Sequence, residues 1–170
     1  LRALCAAQAS GDPEAYPARS NRKATPHYEV VTAVIVDERG RVLLGQRPPD
    51  GLLGGLWEFV SSELRPSRGG EDAPGGRSSA LLERMIVART GLRIGRADVT
   101  LLGEVRHAFT HFRITRRVWL VRLATGRCAT LQAKGYSHLL WASPAEVESL
   151  ALTRSDQKIW QMYRNTTTVP

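Results

Sequence analysis

His107, Phe109, Thr110 and His111 fall within five residues, "HAFTH", where one strand-like run meets another rich in arginine. Two imidazoles four residues apart suggest a metal pair. A zinc site takes four ligands, however, and no further spacing here completes one. Two readings remain. The stretch is either a hairpin end, with Phe109 packed inward and His111 fixing the turn, or a finger presenting a hydroxyl to something flat and polar. The residues alone leave both open.

Metal-dependent hydrolysis is the next chemistry to weigh. Holding Mg²⁺ against a diphosphate requires carboxylates clustered on one helix turn. The helix-patterned run "ERMIVARTGL" is where a pyrophosphatase of the Nudix type would carry them, at positions 85, 88 and 89. Met85, Ala88 and Arg89 stand there instead, and Arg89 would repel a metal ion. Glu63 and Glu83 do not supply the cluster. The pattern resembles a Nudix scaffold without its acidic centre, so no metal site is expected. An active phosphohydrolase on oxidised nucleotides survives only as a rival reading. Other candidates are weaker: His27 reads as a solvated linker residue, His138 as a core-edge hydrogen-bonding group and Asp50 as a turn residue. Ser61 and Ser62 lack the frame of a nucleophile elbow.

Charge points to a polyanion. Twenty-four Lys and Arg against sixteen Asp and Glu give +8 with His neutral. The excess is concentrated between Arg93 and Lys134, where only Asp98 and Glu104 are acidic. Such a stripe favours DNA or RNA through counterion release, although a solvated face is the plainer alternative. Arg47 reads either as a phosphate contact or as a strand-end charge. Two cysteines, Cys5 and Cys128, build neither a disulfide framework nor a zinc site. No run approaches the roughly 18 apolar residues of a membrane span, and no secretory signal pattern opens the chain. A cytoplasmic, nucleoid-associated location is the expectation.

The elements that must position these residues follow from periodicity. Strands are expected up to Val36, from Val42 to Leu44, and around Trp57 to Val60, with "DERG" turning between the first two. Trp57 and Phe59 alternate onto one face, more as core than as a base-stacking platform. Leu81, Leu82, Met85 and Ile86 make a helical stripe that Gly91 ends. Strands are expected again at Val99 to Val105 and Phe112 to Leu123, the second half-buried because arginines interrupt it. Ser143, Pro144 and Glu146 spell a capping box, and Thr153 with Asp156 repeats the device. The result is one mixed α/β layer structure.

At this point the residues resemble a known family. "VLLGQRPPDGLLGGLWEF" (42 to 59) and "LGEVRHAFTHFRI" (102 to 114) resemble the C-terminal domain of A/G-specific adenine DNA glycosylase, the MutY type. "LLWASPAEVESLALTRSDQKIW" is similar to that domain's end. The resemblance implies an α/β, Nudix-like mixed β-sheet with packed helices over 28–163, a tail at 164–170 and a connector at 1–27. It also implies that "LRALC" is the tail of an iron–sulfur loop, with Cys5 a ligand of a 4Fe-4S cluster only in the full-length parent. No cofactor is expected in this chain. An N-terminal glycosylase domain in cis would carry the catalysis.

The resemblance further implies that Phe109, Thr110 and His111 read 8-oxoguanine opposite adenine in duplex DNA, with threonine where serine is usual. The chemistry is sound. Guanine N7 only accepts a hydrogen bond, whereas oxidation at C8 makes it a donor that a hydroxyl can meet. Arg106 and Arg113, with Arg47, are the candidates for holding the backbone. A monomer with no membrane association is expected, with a repair or replication protein as a further partner. A pure protein-docking module is the other rival.

Overall fold

A computed structural model describes residues 25–66, 78–95, 97–124 and 130–167. Cys5, Cys128 and nearly all of the expected connector lie outside the described residues. Among these residues seven strands and three helices follow in order: β1 (His27–Val36), β2 (Val42–Gln46), β3 (Trp57–Ser61), β4 (Arg65–Pro66), α1 (Ser78–Thr90), β5 (Asp98–Ala108), β6 (Arg113–Arg122), β7 (His138–Ala142), α2 (Pro144–Ser149) and α3 (Arg154–Thr167). The strands form one sheet in the order β5-β6-β1-β3-β2-β7, with β4 beside the start of β1. Among the described strand pairs β1 and β6 alone run parallel, paired along their whole lengths from His27↔Arg113 to Val36↔Arg122.

Alternation along the strands builds two cores, one on each face. Val34, Leu44, Phe59, Val118 and Leu120 meet Val147, Ile159, Trp160 and Tyr163 of α2 and α3. Ala33, Ile35, Leu43, Val60 and Val121 meet Leu82, Met85 and Ile86 of α1. Each Val, Leu, Ile, Phe or Met among them stabilises by about 1.5–3 kcal/mol when fully buried. Trp57 and Phe59 share the first of these cores.

Local signals end the elements where the sequence places them. Asp37 accepts from the backbone N–H groups of Arg39 (3.0 Å) and Arg41 (2.8 Å), and Gly40 at φ +74° completes the turn. Burial would raise the Asp37 carboxyl, but its bonds to Arg41 and Arg39 outweigh this and hold it below the usual range. Gly91, at φ +71°, closes α1 in the left-handed region. Ser143 and Glu146 form the expected capping box, with Pro144 in the first turn of α2.

Three features depart from the sequence reading. β7 is a strand where only a helix start is marked, because four apolar residues do not distinguish the two states; pairing with β2, Leu44↔Leu140 among others, decides it. His138, at its head, is exposed rather than at a core edge. β6 is half-buried as expected, its buried residues alternating with more open ones, but Arg116 does not interrupt it: the side chain lies inward and is 3% exposed.

Candidate nucleic-acid interface and the cavity behind it

β5 and β6 pair up to Ala108↔Arg113, and the Phe109 N–H donates to Phe112 O at 2.8 Å to close the hairpin. The Phe109 ring stacks on Phe112 with centroids 4.5 Å apart. Tyr28 meets Phe112 edge-on at 5.8 Å, and His107 meets Phe109 at 4.6 Å. Such aromatic pairs add about 0.5–1.5 kcal/mol each beyond area burial. Phe109 is thus half-buried, with ring contacts to His107 and Phe112. Thr110 and His111 are exposed beyond it. Burial, then the charges of Lys158 and Arg116, depress the His107 imidazole, which favours its neutral form behind the tip.

Beside the tip lies a concavity of about 490 Å³ on the α1 side of the sheet. Register puts Glu104, Arg106, Arg113, Thr115, Arg117 and His27 on one face there. Arg106 is 82% exposed and lies 3.6 Å from Glu104, which also meets Arg117 at 3.5 Å. Pairs this open contribute little to stability and leave the cations available to an anion. Arg47 is placed differently. Its Nη1 meets Glu58 at 2.6 Å and its Nε donates to Leu52 O at 2.7 Å, so it clamps the loop after β2.

Behind the hairpin is a second cavity, of about 280 Å³, reached by Phe109 and Phe112 and by Arg47, Glu58, Arg89 and Arg116. Arg116 donates to Asp156 (2.7 Å), Ser155 (2.8 Å), Ser61 (2.8 Å) and Thr32 (3.1 Å), tying β6 to three elements, α3, β3 and β1. Burial opposes its charge, but Asp156 more than compensates and holds the guanidinium protonated. Asp156 itself accepts from the Phe59 N–H at 3.0 Å and from the Thr153 hydroxyl. Beyond its place in the second cap it is thus a buried counterion, 0% exposed. Burial and the nearby Asp156 raise the Glu58 carboxyl despite Arg47 and Arg116. Arg116, Asp156, Glu58 and Tyr136 went unmarked as site residues in the sequence reading. A single signal was available, an arginine at an inward position of a strand, which requires a buried partner.

The Nudix acidic positions can now be tested against geometry. Met85 is 7% exposed and packs into the α1 core, Ala88 faces outward, and Arg89 lies over the Tyr136 ring at 4.4 Å. Among the described residues, no three His, Cys, Asp or Glu side chains converge. These residues do not fit a divalent metal. No helix among the described residues is long and apolar enough to cross a membrane.

Adenine DNA glycosylase of Mus musculus is 32% identical over 155 residues, 88% of this chain but 28% of that protein's length. CTP pyrophosphohydrolase of Escherichia coli is 29% identical over 74% of this chain and 84% of its own. The C-terminal domain of mouse MUTYH, solved in complex with human PCNA, superposes with a TM-score of 0.62 at 26% identity, covering 84% of this chain and 91% of that one. The chain thus spans just over a quarter of the length of the glycosylase it matches. Residues 31–162 match the NUDIX domain model, and the chain belongs to that family.

Proposed function

We propose that the chain is the lesion-reading domain of an adenine DNA glycosylase and acts in base excision repair. It recognises 8-oxoguanine opposite adenine in duplex DNA. The observation that carries this reading is the exposure of Thr110 at a tip whose neighbours are held in an aromatic stack. A hydroxyl held on a rigid support can accept from the N7–H that only the oxidised base offers. Arg106 and Arg113 neutralise phosphates beside it, and His111 meets the backbone or fixes the turn. Arg47 is tied to Glu58 and acts through the loop it clamps.

The longer relatives support a division of labour. In the intact protein a separate N-terminal domain, with its 4Fe-4S cluster and Cys5 as one ligand, would flip the adenine out of the stack and hydrolyse its N-glycosidic bond. This domain supplies the discrimination. The PCNA complex of the mouse domain supports a repair or replication protein as an additional partner. The match to a CTP pyrophosphohydrolase keeps a phosphohydrolase reading in view. Arg89 and Met85 argue against it, and Mg²⁺-dependent release of pyrophosphate or nucleoside monophosphate would revive it.

The test is an anisotropy titration with matched duplexes carrying 8-oxoguanine or guanine opposite adenine, at one stated salt concentration. One good base contact of about 1–3 kcal/mol corresponds to about 5- to 150-fold tighter binding of the lesion duplex. Equal affinities would remove the base-reading role.

A further inference from the structure

Four large apolar side chains are exposed among the described residues: Leu52, Leu53, Leu64 and Leu101. Single exposed leucines are ordinary, but the first three share the rim of one cavity with Phe109 and Phe112 of the hairpin. Two of them are adjacent in the loop between β2 and β3. An apolar projection thus stands beside the aromatic stack that supports Thr110.

This loop is built to hold its leucines outward. The Arg47 N–H donates to Leu56 O at 2.9 Å and the Gly55 N–H to Arg47 O at 3.1 Å, which closes its base. Within it the Gly51 N–H donates to Pro48 O and the Gly54 N–H to Gly51 O. The Arg47 guanidinium bridges Glu58 (2.6 Å) and the Leu52 carbonyl (2.7 Å), and Gln46 Nε2 donates to Gly55 O at 3.0 Å. A Cβ on Gly54 would sit 2.1 Å from Pro49 O, so the backbone turns too tightly for another residue. Leu53 stands at φ +58°, a left-handed conformation that leucine adopts only under constraint. Burial does not offset that strain, because the side chain is open to solvent. A rigid loop that holds an exposed leucine under strain has the character of a binding element.

We propose that Leu52 and Leu53 are a second contact with duplex DNA, pressed against the bases beside the pair that Thr110 reads and parting one step of the stack. The inference rests on the DNA-binding role given above. Apolar side chains act as wedges in this way, because base faces are themselves apolar. Charge decides which part of the duplex the loop meets. Asp50 and Glu63 are exposed near the leucines and repel phosphates, so the loop faces bases rather than backbone. Arg47 is a positioning residue, its guanidinium already engaged by Glu58 and Leu52 O. A parted step beside the lesion pair weakens the stacking of the opposed adenine and eases its extrusion.

The test uses matched duplexes, with 8-oxoguanine or guanine opposite adenine, that carry 2-aminopurine next to that pair. This base brightens when it is unstacked. Saturation with the native chain should raise its emission on both duplexes, since the wedge does not depend on the lesion. Leu52→Gln should abolish the rise and weaken binding about fivefold or more, whereas Leu101→Gln, on β5 and off the cavity, should change neither. Leu53→Asn should abolish the rise without lowering the thermal midpoint, because asparagine tolerates the left-handed region. Arg47→Met should abolish the rise with the salt dependence of binding unaltered; loss of a phosphate contact would instead reduce its slope by about 0.9. If Arg47→Met fails to fold, the two leucine variants still decide. A bound duplex with unchanged emission, or a rise that survives Leu52→Gln and Leu53→Asn, would overturn the wedge and leave any lesion preference intact. A rise without lesion preference would remove the Thr110 reading alone, and a chain that binds neither duplex would remove both.

Discussion

Phe109 lies on Phe112 with centroids 4.5 Å apart and planes 25° from parallel, and this stack fixes where Thr110 points. Tyr28 from β1 supports it edge-on, so the tip is tied to the centre of the sheet. Removing the support should loosen the tip while leaving the Thr110 hydroxyl on the chain. Phe112→Ala is expected to speed exchange of the Phe109 amide, whose bond to Phe112 O closes the turn, and to lower the preference for a lesion duplex. Unchanged exchange at that amide would show that the stack does not hold the hairpin.

The buried pair Arg116–Asp156 joins β6 to α3 with side chains 4% and 0% exposed. Removing one partner strands a charge in the interior. Asp156→Ala is expected to cost about 3–5 kcal/mol in urea unfolding. The double variant Arg116→Met/Asp156→Leu should lose less than the two single changes summed. A loss below about 1 kcal/mol for Asp156→Ala would mean that solvent or another group compensates Arg116.

Glu58 sets a pH dependence of defined sign. Burial, then Asp156, raises its folded value above the ordinary glutamate value of 4.5. A group raised on folding holds its proton more tightly in the native state. Its contribution is full below 4.5 and is lost as pH rises through the raised value. Relative to Glu58→Gln, the native sequence should therefore lose thermal stability on going upward from pH 4.5. A relative gain over that interval would reverse the sign and point to the Arg47 pair as dominant.

The α2 cap offers a control far from the tip. Ser143 accepts from the Glu146 N–H, and Glu146 Oε2 accepts from the Ser143 N–H at 2.7 Å. Ser143→Ala is expected to cost about 1 kcal/mol of stability, measured by chemical unfolding, with lesion preference unaltered.

Much of this architecture is legible in the residues, and the gaps have physical reasons. Strand alternation, the Gly91 stop and the Ser143 cap are local effects, so β1, β2, β3, α1 and α2 can be read directly from the chain. β7 depends on a partner strand nearly a hundred residues away, and nothing within "HLLWA" specifies it. Exposure of Thr110 follows from a turn between two strands, which the sequence marks. The partnership of Arg116 with Asp156 spans 40 residues and depends on how α3 docks against the sheet. Arg47 looks the same in sequence whether it faces a phosphate or Glu58. Only the placement of β3 beside β2, with Gly45 opposite Glu58, brings its partner within reach.

The most direct measurement compares the native chain with Thr110→Val on lesion and undamaged duplexes under identical salt. Valine keeps the branched shape and removes the hydroxyl. The account requires that preference for 8-oxoguanine over guanine fall by about 5-fold or more while affinity for the undamaged duplex stays the same. Preserved preference, or equal loss on both duplexes, would contradict it.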